Sequence, residues 1–576
     1  MSTSAALETA TLGAGDFDTA ALNAGAAAAL IAGLVASGVR EVVFSPGSRS
    51  TPLVLAAHAH PALRLTAALD ERAGGFLALG LARATGGPVT LLCTSGSAGA
   101  HYLPAVVEAD RGRVPLVVLT ADRPPELLDC GANQAVAQHG FFAGNVRHAR
   151  DLGPPAQGTE GAFFDAGRRA AERALAGPPG PVHLNVPFRE PLWAAGVEVP
   201  ATGRAAGLRV DATAVLPAGA TAALADRLAA AHRGVIHCGA DADDRGAALT
   251  LAERLGWPLL AEATSGGRFG GGQAGPRIAH ADGLLTGVVA PPDLVVRAGR
   301  PPLSRRVGAW LSQAVDHTLL FDEHAERADP HHAADTLVVA APAQALAALA
   351  ERVPRRRDRG WLEAWRHADD AAEAVLAEAC RGAFDEVAVA RAVVADAPLT
   401  HALHLGNSTP VRDVDAFAPV GGATRRVFAS RGASGIDGAI AQCAGEAIGG
   451  RAPVVALLGD LTFLHDLGGL LLAGQLRADV TAVVIDNGGG GIFGQLPVAA
   501  HPSAFEACFL TPQRARFSDL CTGCGVAFRS VEGRGALRAA LAEPTTGPRV
   551  ILVVVDRGAS QAQRRALTRS AGAVIS

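Results

Sequence analysis

Lysine is missing from this chain. All 51 of its Lys-plus-Arg positions, in 576 residues, are arginine. That excludes a lysine Schiff base to pyridoxal phosphate and a Walker-type phosphate loop. Arginine still offers planar, bidentate recognition of carboxylates. An excess of positive charge is missing too. The net charge of −4 gives no electrostatic footing for nucleic acid. Cysteine clusters are scarce. The eight cysteines are scattered, several in or beside apolar runs where a reduced thiol acts as a small hydrophobe. A cytoplasmic setting fits them better than a disulfide framework. Cys521-Thr-Gly-Cys524 is a lone pair, without the second pair that a zinc site of this kind needs. Residues 19–39 carry no charge, so a membrane span has to be weighed. Alanine and glycine dominate that stretch, Asn23 interrupts it, and no arginine precedes it. It runs directly into Arg40-Glu41-Val-Val-Phe44-Ser-Pro46, which reads as a strand and a turn. A packed helix feeding a buried strand is expected there, rather than a span or a signal peptide.

What is present describes a globular chain with large cores: 49% hydrophobic, 18% charged, rich in Gly and Ala. The length predicts roughly three or four domains at ~150 residues each. Residues 1–195 alternate helical patterns with apolar runs at Glu41–Phe44, Val89–Cys93, Leu116–Thr120 and Val182–Asn185. A linker is expected around residues 194–210. Residues 211–350 repeat the rhythm at Gly234–Cys238, Pro258–Glu262, Leu294–Arg297 and Thr318–Phe321, with no nucleotide fingerprint. The charged stretch Arg355–Arg359 marks a second linker. Residues 360–576 open with a helical segment, Trp361–Cys380. Strands are then expected near Ala402–Gly406, Val427–Ala429, Val454–Leu458, Ala482–Ile485 and Val550–Val555. The alternation predicts an α/β fold of three doubly wound parallel sheets covered by helices.

Two residues carry most of the chemistry. Asp460 ends Val454-Val-Ala-Leu-Leu-Gly-Asp460, and Asn487 ends Thr481-Ala-Val-Val-Ile-Asp-Asn487. They lie 27 residues apart, enough for one strand-helix-strand crossover. Oxygen ligands at neighbouring strand ends suit a hard cation that also holds a diphosphate. The glycines after Asn487 let backbone approach phosphate closely. Asp460 alone would be unremarkable, since a single Asp after a strand commonly caps a helix.

The wider set of motifs resembles the 2-succinyl-5-enolpyruvyl-6-hydroxy-3-cyclohexene-1-carboxylate synthase family, thiamine-diphosphate enzymes of menaquinone biosynthesis. The stretches that carry the resemblance are Ser45-Pro-Gly-Ser-Arg-Ser-Thr-Pro-Leu53, Asp70-Glu71-Arg72 with Gly75-Phe-Leu-Ala-Leu-Gly80, and Thr94-Ser-Gly96. They continue through Thr120-Ala-Asp-Arg-Pro-Pro-Glu-Leu127, Gly131-Ala-Asn-Gln134 and Arg431-Gly-Ala-Ser-Gly-Ile-Asp-Gly438. They close with Gly459-Asp-Leu-Thr-Phe-Leu-His-Asp466 and Gly489-Gly-Gly-Ile-Phe493. The first and third pieces match well, and the middle piece loosely. Leu461 after the Asp favours this family over other thiamine enzymes, which have Gly there. Asp486 and Gly488 depart from a family pattern that often has Asn.

The resemblance implies a transferase. It would decarboxylate 2-oxoglutarate and add the resulting succinyl-semialdehyde carbanion to isochorismate by 1,4-addition. Thiamine diphosphate and Mg²⁺, with Mn²⁺ tolerated, are the implied cofactors. Asp460, Asn487 and the Gly489 carbonyl are the implied metal ligands. Glu71 and Gln134 are the implied catalytic residues, Glu71 through a hydrogen bond to the cofactor aminopyrimidine. Isolated, Glu71 would read as an acid at a helix start, closing a strand over Leu65–Leu69. Ser434, Gly435 and Ile436 would cross the cofactor, with Ile436 wedged under it and Phe493 and Leu496 as apolar walls. Ser48, Arg49, Arg123, Asn133, Ser408, Arg412 and Arg431 are the implied substrate residues, and Arg305 with Arg306 a looser match. Family enzymes share each site between two chains, which implies a homodimer or a dimer of dimers. Another thiamine enzyme acting on pyruvate, such as an acetohydroxyacid synthase, is the alternative reading, and a non-catalytic cofactor-binding protein the rival of a different class.

Overall fold

The computed structural model describes residues 14–201, 215–242, 246–270, 275–314, 317–544 and 546–574. The chain divides into two compact units, Met1–Arg209 and Val210–Ser576. The first expected linker lies largely outside the described residues.

The first unit holds six strands: β1 (Glu41–Phe44), β2 (Arg64–Ala67), β3 (Val89–Cys93), β4 (Leu116–Asp122), β5 (His148–Asp151) and β6 (Val182–Pro187). They form one parallel sheet in the order β2-β1-β3-β4-β6-β5. β3, β4 and β6 are buried along their whole length. That is why they read as unbroken apolar runs rather than alternating ones. The charge-free stretch forms the helix Ala14–Ala36, which packs against the helix Glu160–Leu175. Its window Asp18–Ala36 is apolar and long enough to cross a membrane, but it lies mostly inside the unit's core. Leu30, Ile31 and Leu34 are buried against Phe163 and Phe164. Each such side chain contributes about 1.5–3 kcal/mol on burial. The two helices meet backbone to backbone. A Cβ at Gly33 would fall 2.0 Å from the Phe164 carbonyl oxygen, and one at Gly167 would fall 2.2 Å from that of Leu30.

The second unit holds two sheets. The first is built from β7 (Gly234–Cys238), β8 (Leu259–Ala261), β9 (Leu294–Ala298), β10 (Thr318–Phe321) and β11 (Thr336–Val338), in the order β11-β10-β9-β7-β8. The second is built from β12 (Ala402–Leu405), β13 (Val427–Phe428), β14 (Val454–Gly459), β15 (Val480–Asp486), β16 (Ala527–Ser530) and β17 (Arg549–Val554), in the order β13-β12-β14-β15-β17-β16. All pairings in both are parallel. The segment expected as the second linker is a short connector between helices Pro342–Arg352 and Gly360–Ala379. Arg356 pins it by donating to the Ala229 and Ala231 carbonyls at 2.9 and 2.5 Å.

The first and third sheets share a strand order: two strands, a crossover to the third and fourth, and a final pair taken in reverse. Their expected strands fall where the apolar runs placed them, with ends moved by a residue or two. One placement near a site residue changes. The strand before Glu71 is Arg64–Ala67, not Leu65–Leu69, and Glu71 is the first residue of the helix Glu71–Thr85. Ala68 still bonds to the Phe44 carbonyl, but Leu69 is 73% exposed and leaves the sheet.

Candidate active site

In the first unit the motif residues gather at the carboxyl ends of adjacent parallel strands. β1 leads into Ser45–Leu53, β3 into Thr94–Gly96, and β4 into Arg123. This is where open parallel sheets bind ligands. Arg123 organises the cluster. It donates Nη1 to Ser95 Oγ at 2.7 Å, Nε to the Asn133 carbonyl at 3.1 Å and Nη2 to Gln134 Oε1 at 3.4 Å. Gln134 is held at φ 56°, an unusual conformation for a residue with a side chain. Its loop is further fixed by Gln138, whose Oε1 accepts the Gly96 N–H at 2.8 Å.

Arg49 is 3% exposed. It donates to the Phe188 carbonyl at 2.9 Å and to Glu190 at 2.6 Å, while its Nε has no partner among the described residues. Burial, and then Arg123, lower its pKa, against Glu190. Ser48 is exposed in the turn Ser48–Ser50 beside it. Glu71 is half-buried at the helix start, capped by Asp70, whose side chain accepts the Arg72 N–H at 2.9 Å. Burial first, and Glu71 after it, push the Cys93 thiol up, and the hydroxyl of Tyr102 moves the same way.

In the second unit four strand ends contribute. β12 leads to Asn407, Ser408 and Arg412, β13 to Arg431–Gly438, β14 to Asp460 and β15 to Asn487. β13, β12, β14 and β15 are consecutive neighbours, so these segments line one sheet edge. Asn407, absent from the sequence reading, ties two of them together. It donates to the Ser430 and Gly435 carbonyls at 2.8 and 2.6 Å and accepts Arg431 Nη1 at 2.8 Å. Ser434 lies at φ 64° and Ile436 is half-buried. Phe493 packs edge-on to Phe509 at 5.6 Å, whereas Leu496 is 41% exposed.

The arginines separate into two kinds. Arg412 donates to the Ser408 carbonyl at 2.6 Å. Its pKa is lowered by burial and then by Arg431 and Arg305, so both of those guanidiniums act on it. Arg306 is turned elsewhere. It bonds to both the backbone and the carboxylate of Asp282, each at 2.7 Å.

Asp460 is buried and opens the helix Asp460–His465. It sits one residue inside the helix rather than at the cap. Its Oδ1 accepts the Leu461 N–H and its Oδ2 the Gly489 N–H, both at 2.7 Å. Burial pushes its carboxyl up to about 7, with Asp486 adding to the push and the two amides opposing it. A bound divalent cation reverses that balance. Asn487 donates Nδ2 to Glu386 at 2.7 Å, while its Oδ1 is buried without a partner among the described residues. The Gly489 carbonyl accepts from Gly491 at 2.8 Å and keeps a second lone pair. A carboxylate, an orphaned amide oxygen and a carbonyl form an all-oxygen donor set suited to Mg²⁺. The residues fit the metal.

Three family models match consecutive parts of the chain. "Thiamine pyrophosphate enzyme, N-terminal TPP binding domain" covers residues 25–143, "Middle domain of thiamine pyrophosphate" 221–405, and "Thiamine pyrophosphate enzyme, C-terminal TPP binding domain" 417–555. The fold and both strand-end clusters therefore define an enzyme of the thiamine-pyrophosphate class. Among solved structures, the benzoylformate decarboxylase of Polynucleobacter necessarius shares the fold, with TM-score 0.69, 18% identity, and 92% of this chain and 98% of that one covered. Two curated relatives are much nearer in sequence. The 2-succinyl-5-enolpyruvyl-6-hydroxy-3-cyclohexene-1-carboxylate synthase of Rubrobacter xylanophilus is 41% identical, covering 94% of this chain and 97% of its own. That of Sorangium cellulosum is 40% identical, covering 88% of each. The chain belongs to the 2-succinyl-5-enolpyruvyl-6-hydroxy-3-cyclohexene-1-carboxylate synthase family.

Proposed function

We propose that this chain decarboxylates 2-oxoglutarate and joins the four-carbon remainder to isochorismate by 1,4-addition, as a step of menaquinone biosynthesis. The observation that carries the substrate assignment is the placement of Arg412 and Arg431 at the ends of the neighbouring strands β12 and β13, where Arg412 bonds to the Ser408 carbonyl at 2.6 Å and Arg431 to Asn407 Oδ1 at 2.8 Å, with Arg305 acting on Arg412 as well. Guanidinium groups at these strand ends suit both substrates, which are dicarboxylates. Guanidinium groups meet carboxylates in a planar, two-point geometry.

Thiamine diphosphate, when bound, supplies the electron sink for loss of carbon dioxide. Asp460, Asn487 Oδ1 and the Gly489 carbonyl would hold Mg²⁺, or Mn²⁺ in its place, against the diphosphate. Ser434, Gly435 and Ile436 would support the cofactor, and Phe493 and Leu496 would keep water from the reacting carbon. Glu71 would hold and return a proton at the aminopyrimidine ring. Ser48, Arg49, Arg123, Asn133 and Ser408 would orient the substrates, with Gln134 touching the reacting atoms. Arg306, engaged with Asp282, is the weakest member of the substrate set. We assign three domains, 1–195, 211–350 and 360–576, and a cytoplasmic homodimer or dimer of dimers.

One assay by mass spectrometry tests the reading. Purified protein receives thiamine diphosphate, Mg²⁺, 2-oxoglutarate and isochorismate. The expected adduct has the mass of isochorismate plus succinic semialdehyde. Acetolactate or acetaldehyde from pyruvate, with no such adduct, would instead assign a pyruvate-using carboligase or decarboxylase.

A further inference from the structure

Glu386 belongs to none of the motifs that carry the cofactor resemblance, yet it touches a candidate metal ligand. It lies at the start of the helix Glu386–Asp396 and is 1% exposed. Its Oε1 accepts Asn487 Nδ2 at 2.7 Å, and its Oε2 accepts Arg564 Nη2 at 2.6 Å. Arg564, from the helix Arg557–Ala573, reaches on to Asp413 with bonds of 2.9 Å to Oδ1 and 2.6 Å to Oδ2. All four side chains are buried. A carboxylate only accepts hydrogen bonds. Asn487 must therefore turn its NH₂ toward Glu386, which leaves Oδ1 as the free end of the amide. That is the atom left buried and unpartnered. Gly491 shares in the arrangement, because a Cβ there would fall 2.6 Å from Asn487 Nδ2.

We propose that Glu386 is a positioning residue for the metal: it fixes the flip of the Asn487 amide so that oxygen, not NH₂, faces the cation, and Arg564 holds Glu386 in place. The inference rests on the reading of Asn487 as a metal ligand. The amide has two orientations of nearly equal shape, and only one can bind a cation. Loss of outer partners of this kind typically costs about 10- to 100-fold in metal affinity. The network predicts what a Gln at 386 would do. Its oxygen would stay on Arg564 and its NH₂ would face Asn487. Asn487 would then turn its own oxygen inward and present NH₂ to the metal. An Asp at 487 opposite the native Glu386 would set two carboxylates together. Both changes at once restore one donor facing one acceptor.

Mn²⁺ binding in the presence of thiamine diphosphate, read by electron paramagnetic resonance, tests this without reference to turnover. Wild type should bind one Mn²⁺ per chain, and Asp460→Ala should lose it. Glu386→Gln and Asn487→Asp should each bind about 10- to 100-fold more weakly. The double variant should return to within about threefold of wild type, a rescue that independent, additive sites do not show. Single variants with wild-type affinity, or a double variant no better than the singles, would overturn the positioning role while leaving the ligands assigned. If Asp460→Ala binds like wild type, the metal assignment itself fails and the positioning role fails with it. Asn487→Asp decides alone if Glu386→Gln does not fold. A carboxylate unopposed by Glu386 binds the ion more tightly than an amide, so a gain in affinity there would sink the proposal.

Discussion

The carboxylate of Asp460 accepts the backbone N–H of Gly489 at 2.7 Å, so the ends of β14 and β15 are tied across the mouth of the candidate metal site. The bond holds one carboxylate oxygen against the Gly489 backbone. It depends on a backbone that only glycine supplies, since Gly489 lies at φ 122°.

Gly489→Ala should break this tie. A Cβ there would fall 2.1 Å from the Leu510 carbonyl oxygen, which is backbone and cannot step aside cheaply. Strain of about 1–3 kcal/mol is expected from the backbone angle alone. Calorimetric titration with Mg²⁺ and thiamine diphosphate should show binding lost or weakened at least tenfold, by roughly 1.4 kcal/mol or more. Wild-type binding would show that the loop has another stable conformation.

Glu71→Gln should retain the cofactor and lose turnover. The substitution keeps shape and hydrogen bonding but cannot hold and return a proton. A loss of about 10²–10⁴-fold in kcat is expected for removing a general acid–base group. Cofactor affinity, measured separately by fluorescence quenching, should change far less. A kcat within about threefold of wild type would remove Glu71 from the proton path.

Arg305 and Arg306 are neighbours in sequence with opposite expectations. Arg305→Ala should raise KM for one of the two dicarboxylates, equivalent to about 1.5–3 kcal/mol for a lost charge-assisted hydrogen bond. Arg306→Ala should leave KM nearly unchanged and instead loosen its contact with Asp282. Equal effects from both substitutions would count against Arg305, alongside Arg412 and Arg431, as a substrate-binding residue.

Asp415 predicts how stability responds to pH. Burial, and then Glu262, raise its carboxyl from an ordinary 3.8 to about 7, against Arg268 and the Ala263 N–H. The folded state thus holds this proton more tightly than the unfolded one. The stabilisation is fully present at acid pH and is lost as pH rises from about 4 through about 7. Asp415→Asn keeps an oxygen for the Ala263 N–H, bonded at 3.0 Å in the wild type, and removes the charge. Its thermal stability should overtake wild type progressively between pH 5 and 8, by about 2 kcal/mol at the upper end. Parallel melting curves across that range would refute the assignment.

The interior strands were legible because burial on both faces writes them as apolar runs. Glu41–Phe44, Val89–Cys93, Gly234–Cys238 and Thr318–Phe321 begin and end where their sequences do. Three strands were not foreseen: β5, β11 and β16. Each is the last strand of its sheet. His148-Ala-Arg-Asp151 and Ala527-Phe-Arg-Ser530 are largely solvent-facing, and short polar strands carry no apolar signal. The site divides in the same way. Asp460, Asn487 and Glu71 stand in motifs with their own local signature. Asn407 and Glu386 do not. Glu386 follows Asp385, whose side chain caps the helix by accepting the Ala388 N–H at 2.9 Å, so the pair reads as a helix start. Its partner Asn487 lies 101 residues away, and no spacing rule connects them.

The glycine-to-backbone seam between helices Ala14–Ala36 and Glu160–Leu175 sets an order on the birth of the first unit. The earlier helix leaves the ribosome first, and the surface that covers it follows about 120 residues later. At about 5–20 residues per second that interval is roughly 6–25 seconds. During it the charge-free residues 19–36 lack the surface of Glu160–Leu175 that later covers them. The seam therefore does more than fill space in the finished protein. It makes the final packing of the first helix wait on the synthesis of the second.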